Sequence, residues 1–125
     1  MSHPVVWFEV MGKYGNSLRS FYSGLFGWKI AADNPMNYGM VEASGGRGIA
    51  GGVGQFESTK QAEDGSYPSV TFYVATESID DSLAQAKKLG GKVVMERTKL
   101  PGGTVLGMFS DPEGNAIGLV EDGAA

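Results

Sequence analysis

Val5-Val6-Trp7-Phe8-Glu9-Val10 has a counterpart in Ser69-Val70-Thr71-Phe72-Tyr73-Val74, 64 residues further along the chain. Val6 and Val70, Phe8 and Phe72, and Val10 and Val74 agree at alternate positions. Matching at every second residue marks one buried face of a strand. A helical pattern follows each copy. Leu18, Phe21, Tyr22 and Leu25 fall at i, i+3, i+4 and i+7, with Asn16 as the expected N-cap and Gly27 as the stop. Ile79, Leu83, Ala86 and Leu89 repeat that stripe, opened by Ser78 with Asp81 in a capping-box arrangement and closed by Gly90-Gly91. Phe8, Phe72, Phe21, Leu25 and Leu83 are the expected core.

Each helix is followed by three strand candidates. They are 28–33, 37–43 and 48–53 in the first half, and 92–98, 104–110 and 115–121 in the second. The breaks fall at Asn34-Pro35, Ser44-Gly45-Gly46, Pro101-Gly102-Gly103 and Asp111-Pro112-Glu113-Gly114. The last has Pro at i+1 and Gly at i+3 of a type I turn. The sequence therefore reads as an α+β chain of two tandem βαβββ units, about 4–54 and 68–122, joined by a polar, acidic linker at 55–67. A unit of that size buries too little surface to stand alone, so the two are expected to form one domain over 1–125.

Composition removes several function classes. With 10 Lys plus Arg against 14 Asp plus Glu, the net charge is −4, which argues against a nucleic-acid partner. There is no cysteine, so disulfides, thiolate nucleophiles and cysteine-based metal sites are excluded, as suits a reducing compartment. No apolar run approaches the ~20 residues of a membrane span. The N-terminus lacks a basic and then apolar leader, so a cytoplasmic protein without membrane partners is expected. Gly46-Arg47-Gly48-Ile49-Ala50-Gly51 spells G-x-G-x-x-G, but Gly52-Val53-Gly54 follows where a nucleotide loop needs a helix. Asp111-Pro112-Glu113-Gly114 has no phosphate loop to partner it, and Ser66 or Ser69 has only the distant His3 as a base.

Phe21-Tyr22-Ser23-Gly24-Leu25-Phe26-Gly27-Trp28, Leu89-Gly90-Gly91 and Phe109-Ser110-Asp111-Pro112-Glu113-Gly114-Asn115 occur in order on the two repeats. Together they resemble the vicinal oxygen chelate superfamily of glyoxalase I, bleomycin resistance proteins and extradiol dioxygenases. The resemblance implies a cup of curved mixed sheet with the helices on its convex side. It places Val5, Trp7, Glu9, Ser69, Thr71 and Tyr73 on the concave face. It also implies a divalent metal held by His, Glu or Gln at four positions, which fall here on Val5, Gly51, Ser69 and Gly118. Valine has no donor, glycine has no side chain, and serine is a weak ligand. His3 stands two residues ahead of the first position, roughly 6–7 Å along a strand, and is expected in a mobile terminus. No metal and no cofactor are therefore expected.

What the resemblance leaves is an aromatic-lined cup with bare floor at Gly51 and Gly118. Trp28, Tyr38, Met40, Phe56, Tyr67 and Met108 are further wall candidates. Glu9 is the candidate acid–base or cation-binding group. The expected function is metal-independent binding and sequestration of a small aromatic, hydrophobic or cationic molecule, in the manner of bleomycin resistance proteins, by a homodimer. The alternative is a lyase, isomerase or dioxygenase with an atypical metal site, or with acid–base chemistry at Glu9. A vestigial pocket in a structural module is the third reading.

Overall fold

The computed structural model describes residues 2–34, 37–55 and 70–121. In chain order these form β1 (Val5–Gly12), α1 (Gly15–Phe26), β2 (Ile30–Ala31), β3 (Gly39–Val41), β4 (Gly51–Gln55), β5 (Val70–Thr76), α2 (Ile79–Lys88), β6 (Lys92–Lys99), β7 (Val105–Ser110) and β8 (Ala116–Glu121). The fold is α+β, and the order βαβββ occurs twice, as the repeat predicts. The chain divides into two compact units, Trp7–Thr71 and Phe72–Ala125, the latter including Met1–Val6.

In the N-terminal unit the strand order is β2-β3-β4-β1. β1 and β4 run parallel, with Phe8 opposite Gly51, Glu9 opposite Gly52 and Val10 opposite Val53. β3 joins β4 antiparallel, with Met40 opposite Gly52. Paired residues share a face, so Phe8, Gly51, Val53 and Val41 look one way and Glu9, Gly52 and Met40 the other. α1 lies on the Phe8 side. There Trp28 collects aromatic rings, with Tyr22 stacked at 5.5 Å, Phe8 at 5.3 Å and Phe26 at 5.2 Å between centroids. Offset and tilted ring pairs of this kind add to the area they bury.

α1 departs from expectation in two ways. Its N-cap position is Tyr14, which makes no side-chain cap bond. Gln55 at the end of β4 takes that role, its Oε1 accepting from the Gly15 N–H at 2.9 Å, while Asn16 Oδ1 accepts from the Arg19 guanidinium. The buried stripe is also rotated. Gly15, Leu18, Arg19 and Tyr22 turn inward, whereas the expected core residues Phe21 and Leu25 are 58% and 59% exposed. A residue one helical step of ~100° away from the inward centre faces water. The C-terminus behaves as expected: Gly27 takes φ +69° and its N–H reaches the Ser23 carbonyl at 2.9 Å.

In the C-terminal unit the order is β5-β8-β7-β6. β5 and β8 are parallel, with Tyr73 opposite Gly118 and Val74 opposite Leu119. Ile79, Leu83, Val105 and Leu119 form the core under α2, with Val74, Val93 and Phe109 packed against it. Gly107 is required beneath the helix, because a Cβ there would lie 2.6 Å from Ile79 Cγ2. The expected core residue Phe72 is 40% exposed instead.

Three local devices fix this unit. Ser78 Oγ accepts from the Asp81 N–H at 3.2 Å, the N-cap that the sequence predicts. Asp111 Oδ1 accepts from the N–H groups of Glu113 and Asn115, closing the β7–β8 turn. The Asn115 side-chain amide, at 2.9 Å from Asp111 Oδ2, is the main cause of an Asp111 carboxyl held below its usual range. Finally, Glu121 Oε2 accepts from the Ile79 N–H at 3.1 Å, and both its oxygens accept from Arg97 at 2.9 Å. The N-terminal segment is also tied down, contrary to the mobile terminus expected for His3. Ala75 N–H donates to the Pro4 carbonyl at 3.0 Å, and His3 Nδ1 donates to the Ala75 carbonyl at 3.2 Å.

The contrast between the two helices can be measured. Leu83→Ala should cost about 2–5 kcal/mol in urea unfolding, because Leu83 is buried. Leu25→Ala should cost less than about 1 kcal/mol, since half-exposed apolar area gives up little on truncation. The Arg97 hydrogen bonds, with that of Ile79 next, lower the Glu121 carboxyl from 4.5 to about 2. The unfolded chain then takes up this proton at a higher pH than the folded chain does. Stability from Glu121 is complete above about pH 4.5 and is lost as pH falls toward 2. Urea midpoints measured from pH 6 to pH 2.5 should fall through that window in the parent and fall less steeply in Glu121→Gln.

Candidate functional site

The polar chemistry of the N-terminal unit gathers on the sheet face opposite α1. Strand alternation puts Trp7, Glu9 and Met11 on that side of β1. Tyr38, just ahead of β3, lays its ring over the same face. Its hydroxyl donates to Glu9 Oε2 at 2.8 Å and accepts from Trp7 Nε1 at 3.2 Å. The direction of this chain is fixed by chemistry: indole N–H only donates, so the phenol proton is left for the carboxylate. All three side chains are half-buried.

Two features hold Tyr38 there. Asn34 grips its backbone from both sides, Nδ2 donating to the Tyr38 carbonyl at 2.6 Å and Oδ1 accepting from the Tyr38 N–H at 2.9 Å. Beneath the ring β4 offers only glycine, at Gly52 and Gly54. A Cβ on Gly52 would stand 1.8 Å from the Tyr38 oxygen, and one on Gly54 would stand 2.9 Å from its ring. The three-residue chain of hydrogen bonds thus exists because β4 carries glycine at alternate positions on this face.

The remaining site expectations fall as follows. Val5 is a half-exposed residue at the start of β1. Gly51 is corrected in its facing: paired with Phe8, it looks toward α1, and a Cβ there would lie 2.2 Å from the Phe8 ring. Gly52 occupies the position expected for it. In the C-terminal unit Tyr73, Gly118 and Met108 share the face opposite α2, with Gly118 paired to both. The Tyr73 ring covers Gly118, 2.4 Å from where its Cβ would be, so the floor expected to be bare is tiled by an aromatic ring. Thr71 is buried on β5. Met40 is an exposed residue on the Glu9 face. Trp28 is no part of that face, because it packs against Phe8 under α1. Ser69, Phe56 and Tyr67 lie outside the described residues.

Sequence reasoning offers Tyr38 as one wall candidate among several and misses its meeting with Glu9. The usable signal is Gly52-x-Gly54 in a strand, since alternate glycines mark a close approach by another group. The metal implied by the resemblance meets no matching donor set. Its positions hold valine, glycine under an aromatic ring and, beyond the described residues, serine. Among the described residues no three of His, Cys, Asp and Glu converge on one point. These residues do not fit a metal held in that way.

In each unit the elements follow the order βαβββ, and the first and last strands pair in parallel. The family model of the Glyoxalase/Bleomycin resistance protein/Dioxygenase superfamily matches residues 7–119, and the chain belongs to that superfamily. No functionally curated protein matches the sequence. Among solved structures, a superfamily member from Vibrio splendidus 12B01 is 14% identical, with a TM-score of 0.62, covering 97% of this chain and 100% of its own. A structure described as an NAD-dependent benzaldehyde dehydrogenase from Legionella pneumophila is 14% identical, with a TM-score of 0.63 and coverage of 92% and 96%. A single-substitution variant of methylmalonyl-CoA epimerase from Streptomyces coelicolor, in complex with 2-nitronate-propionyl-CoA, is 14% identical, with a TM-score of 0.61 and coverage of 98% and 96%. At such identities the likeness is one of fold, and a fold of this kind carries unrelated activities.

The glycine requirement is directly testable. Gly52→Ala should displace the Tyr38 ring and break its bond to Glu9, at a cost of about 1–3 kcal/mol, the usual range for overpacking. Near-UV circular dichroism should lose part of its tyrosine and tryptophan signal while far-UV ellipticity holds. Gly48→Ala, which meets no atom closer than 3.8 Å, is the control and should change neither.

Proposed function

We propose that this superfamily member binds and sequesters a small planar or cationic molecule without using a metal. The Trp7–Tyr38–Glu9 hydrogen-bond chain carries the reading. It sets a half-buried carboxylate beside two aromatic side chains on one sheet face, with Met11 and Met40 flanking. Carboxylate and ring faces together attract an organic cation, the rings through their quadrupoles and the carboxylate through its charge. Thioethers on the flanks adapt to ligand shape. A mostly apolar surface with a few oriented polar groups is the common form of a small-molecule site. Residence in the cytoplasm and pairing of two copies belong to the same reading. No helix among the described residues is long and apolar enough to cross a membrane.

One observation favours a second reading. The Tyr38 hydroxyl donates to Glu9, so the pair could pass a proton to or from a bound carbon acid. In that case the protein is an isomerase or lyase using Glu9 as base and Tyr38 as its positioning partner.

Titration of a panel of flat aromatic cations, followed by tryptophan fluorescence, separates the two. Sequestration predicts a saturable hit, recovery of the ligand unaltered by mass spectrometry, and at least about tenfold weaker binding in Glu9→Gln, the loss of a charge-assisted contact worth about 1.4 kcal/mol or more. Solvent deuterium appearing in a recovered ligand, abolished by Glu9→Gln, would transfer the assignment to proton-transfer catalysis. Flat titrations across the panel would defeat the sequestration reading.

A further inference from the structure

The C-terminal unit carries a recess on the α2 side of its sheet, and none of its lining residues belongs to the Glu9 site. It has a volume of about 940 Å³. Its floor is apolar, made of Val74, Phe109 and Leu119. One wall is the face of α2 that bears Ser82, Gln85, Ala86 and Leu89, and the opposite wall is the tied-down segment Ser2–Pro4. The two ends differ in chemistry. At the C-terminal end of α2 the lining is Leu89, Gly91 and Pro112. At the N-terminal end it is Glu77, Ser78 and Asp81.

The charge at that end is not spent inside the protein. Ser78 Oγ serves the helix cap, and the Thr76 and Ser82 hydroxyls bond each other at 2.7 Å. Glu121, not Glu77 or Asp81, takes Arg97. Among the described residues neither the Glu77 nor the Asp81 carboxylate has an ion-pair or hydrogen-bond partner. His3 is the only basic side chain in the lining, and its Nδ1 is committed to the Ala75 carbonyl. The α2 dipole offsets part of the charge on Asp81, which stands in the first turn, but Glu77 precedes the helix. The recess is therefore anionic at one end and hydrocarbon along the rest. It follows a helix of ten residues, about 15 Å in length.

We infer that this recess binds an amphipathic organic cation, its charged head between Glu77 and Asp81 and its hydrocarbon body along Val74, Phe109 and Leu89. The length suits a chain of roughly ten carbons, and the volume lies within the roughly 300–1,000 Å³ of small-molecule sites. An anionic or zwitterionic amphiphile of the same body meets two carboxylates and is disfavoured.

The test uses the full chain labelled with nitrogen-15 and titrated with decyltrimethylammonium below its micelle concentration. Saturable amide shifts are expected at Val74, Ser82, Ala86 and Leu119. Decyl sulfate should bind at least about tenfold more weakly, equivalent to about 1.4 kcal/mol. The double variant Glu77→Gln/Asp81→Asn should weaken decyltrimethylammonium by a similar factor while keeping the parent's far-UV spectrum. Ala86→Phe should fill the recess and abolish the shifts. Equal affinity for the sulfate, shifts confined to other surfaces, or no weakening in the double variant would overturn the inference. So would a concentration-dependent self-association that perturbs the same amides before any ligand is added, since the occupant would then be a second copy of the chain.

Discussion

Parallel pairing between the first and last strands of each unit decides which side chains can meet. In the N-terminal unit it sets Glu9 beside Gly52, and in the C-terminal unit it sets Tyr73 beside Gly118. Side chains alternate with a period of two, so a slip of one residue would exchange the two faces completely. The glycines make that register productive. Gly52 admits the Tyr38 ring to the Glu9 carboxylate, and Gly118 admits Tyr73 to the sheet. Each unit thus places an aromatic ring where a bulky residue on the last strand would otherwise stand. The hydrogen-bond chain from Trp7 to Glu9 is a local consequence of that absence of side chains.

The two units solve the same packing problem with different resources. Under α2 the core is mainly aliphatic, and the helix begins at a side-chain cap reinforced by Glu121. Under α1 the sheet face is rich in glycine, and the volume is filled by stacked rings around Trp28. Aromatic rings reach further than aliphatic side chains, so they can close a gap over a bare sheet. The result leaves part of the α1 stripe in water.

Much of the architecture is legible in the sequence because it rests on periodicity. The alternation of Phe8 and Val10, and the stripe of Ile79 and Leu83, belong to elements whose covered face repeats. Ser78 is readable as a cap because its bond is made within one turn. The start of α1 is not, since Gln55 lies 40 residues away along the chain and reaches Gly15 only through the sheet. Phe21 and Leu25 fit a helical stripe as well as Tyr22 does, and only the position of Trp28 selects which edge of the stripe is covered. The facing of Gly51 is ambiguous by one residue because Gly51-Gly52 offers two identical candidates and no side chain to mark the face. The meeting of Tyr38 with Glu9 joins residues 29 apart in the chain, and no periodicity links them.

The backbone of Tyr38 is gripped by a primary amide, that of Asn34. Asn34 donates to one backbone group of Tyr38 and accepts from another, which a carboxylate at this position could not do in its ionised form. Asparagine is ordinarily prone to spontaneous ageing, in which the nitrogen of the next residue closes on the side-chain carbonyl and ammonia departs. The next residue here is Pro35, whose ring nitrogen carries no hydrogen to give up. The clamp is thereby shielded from that slow chemical decay by its own neighbour in the chain.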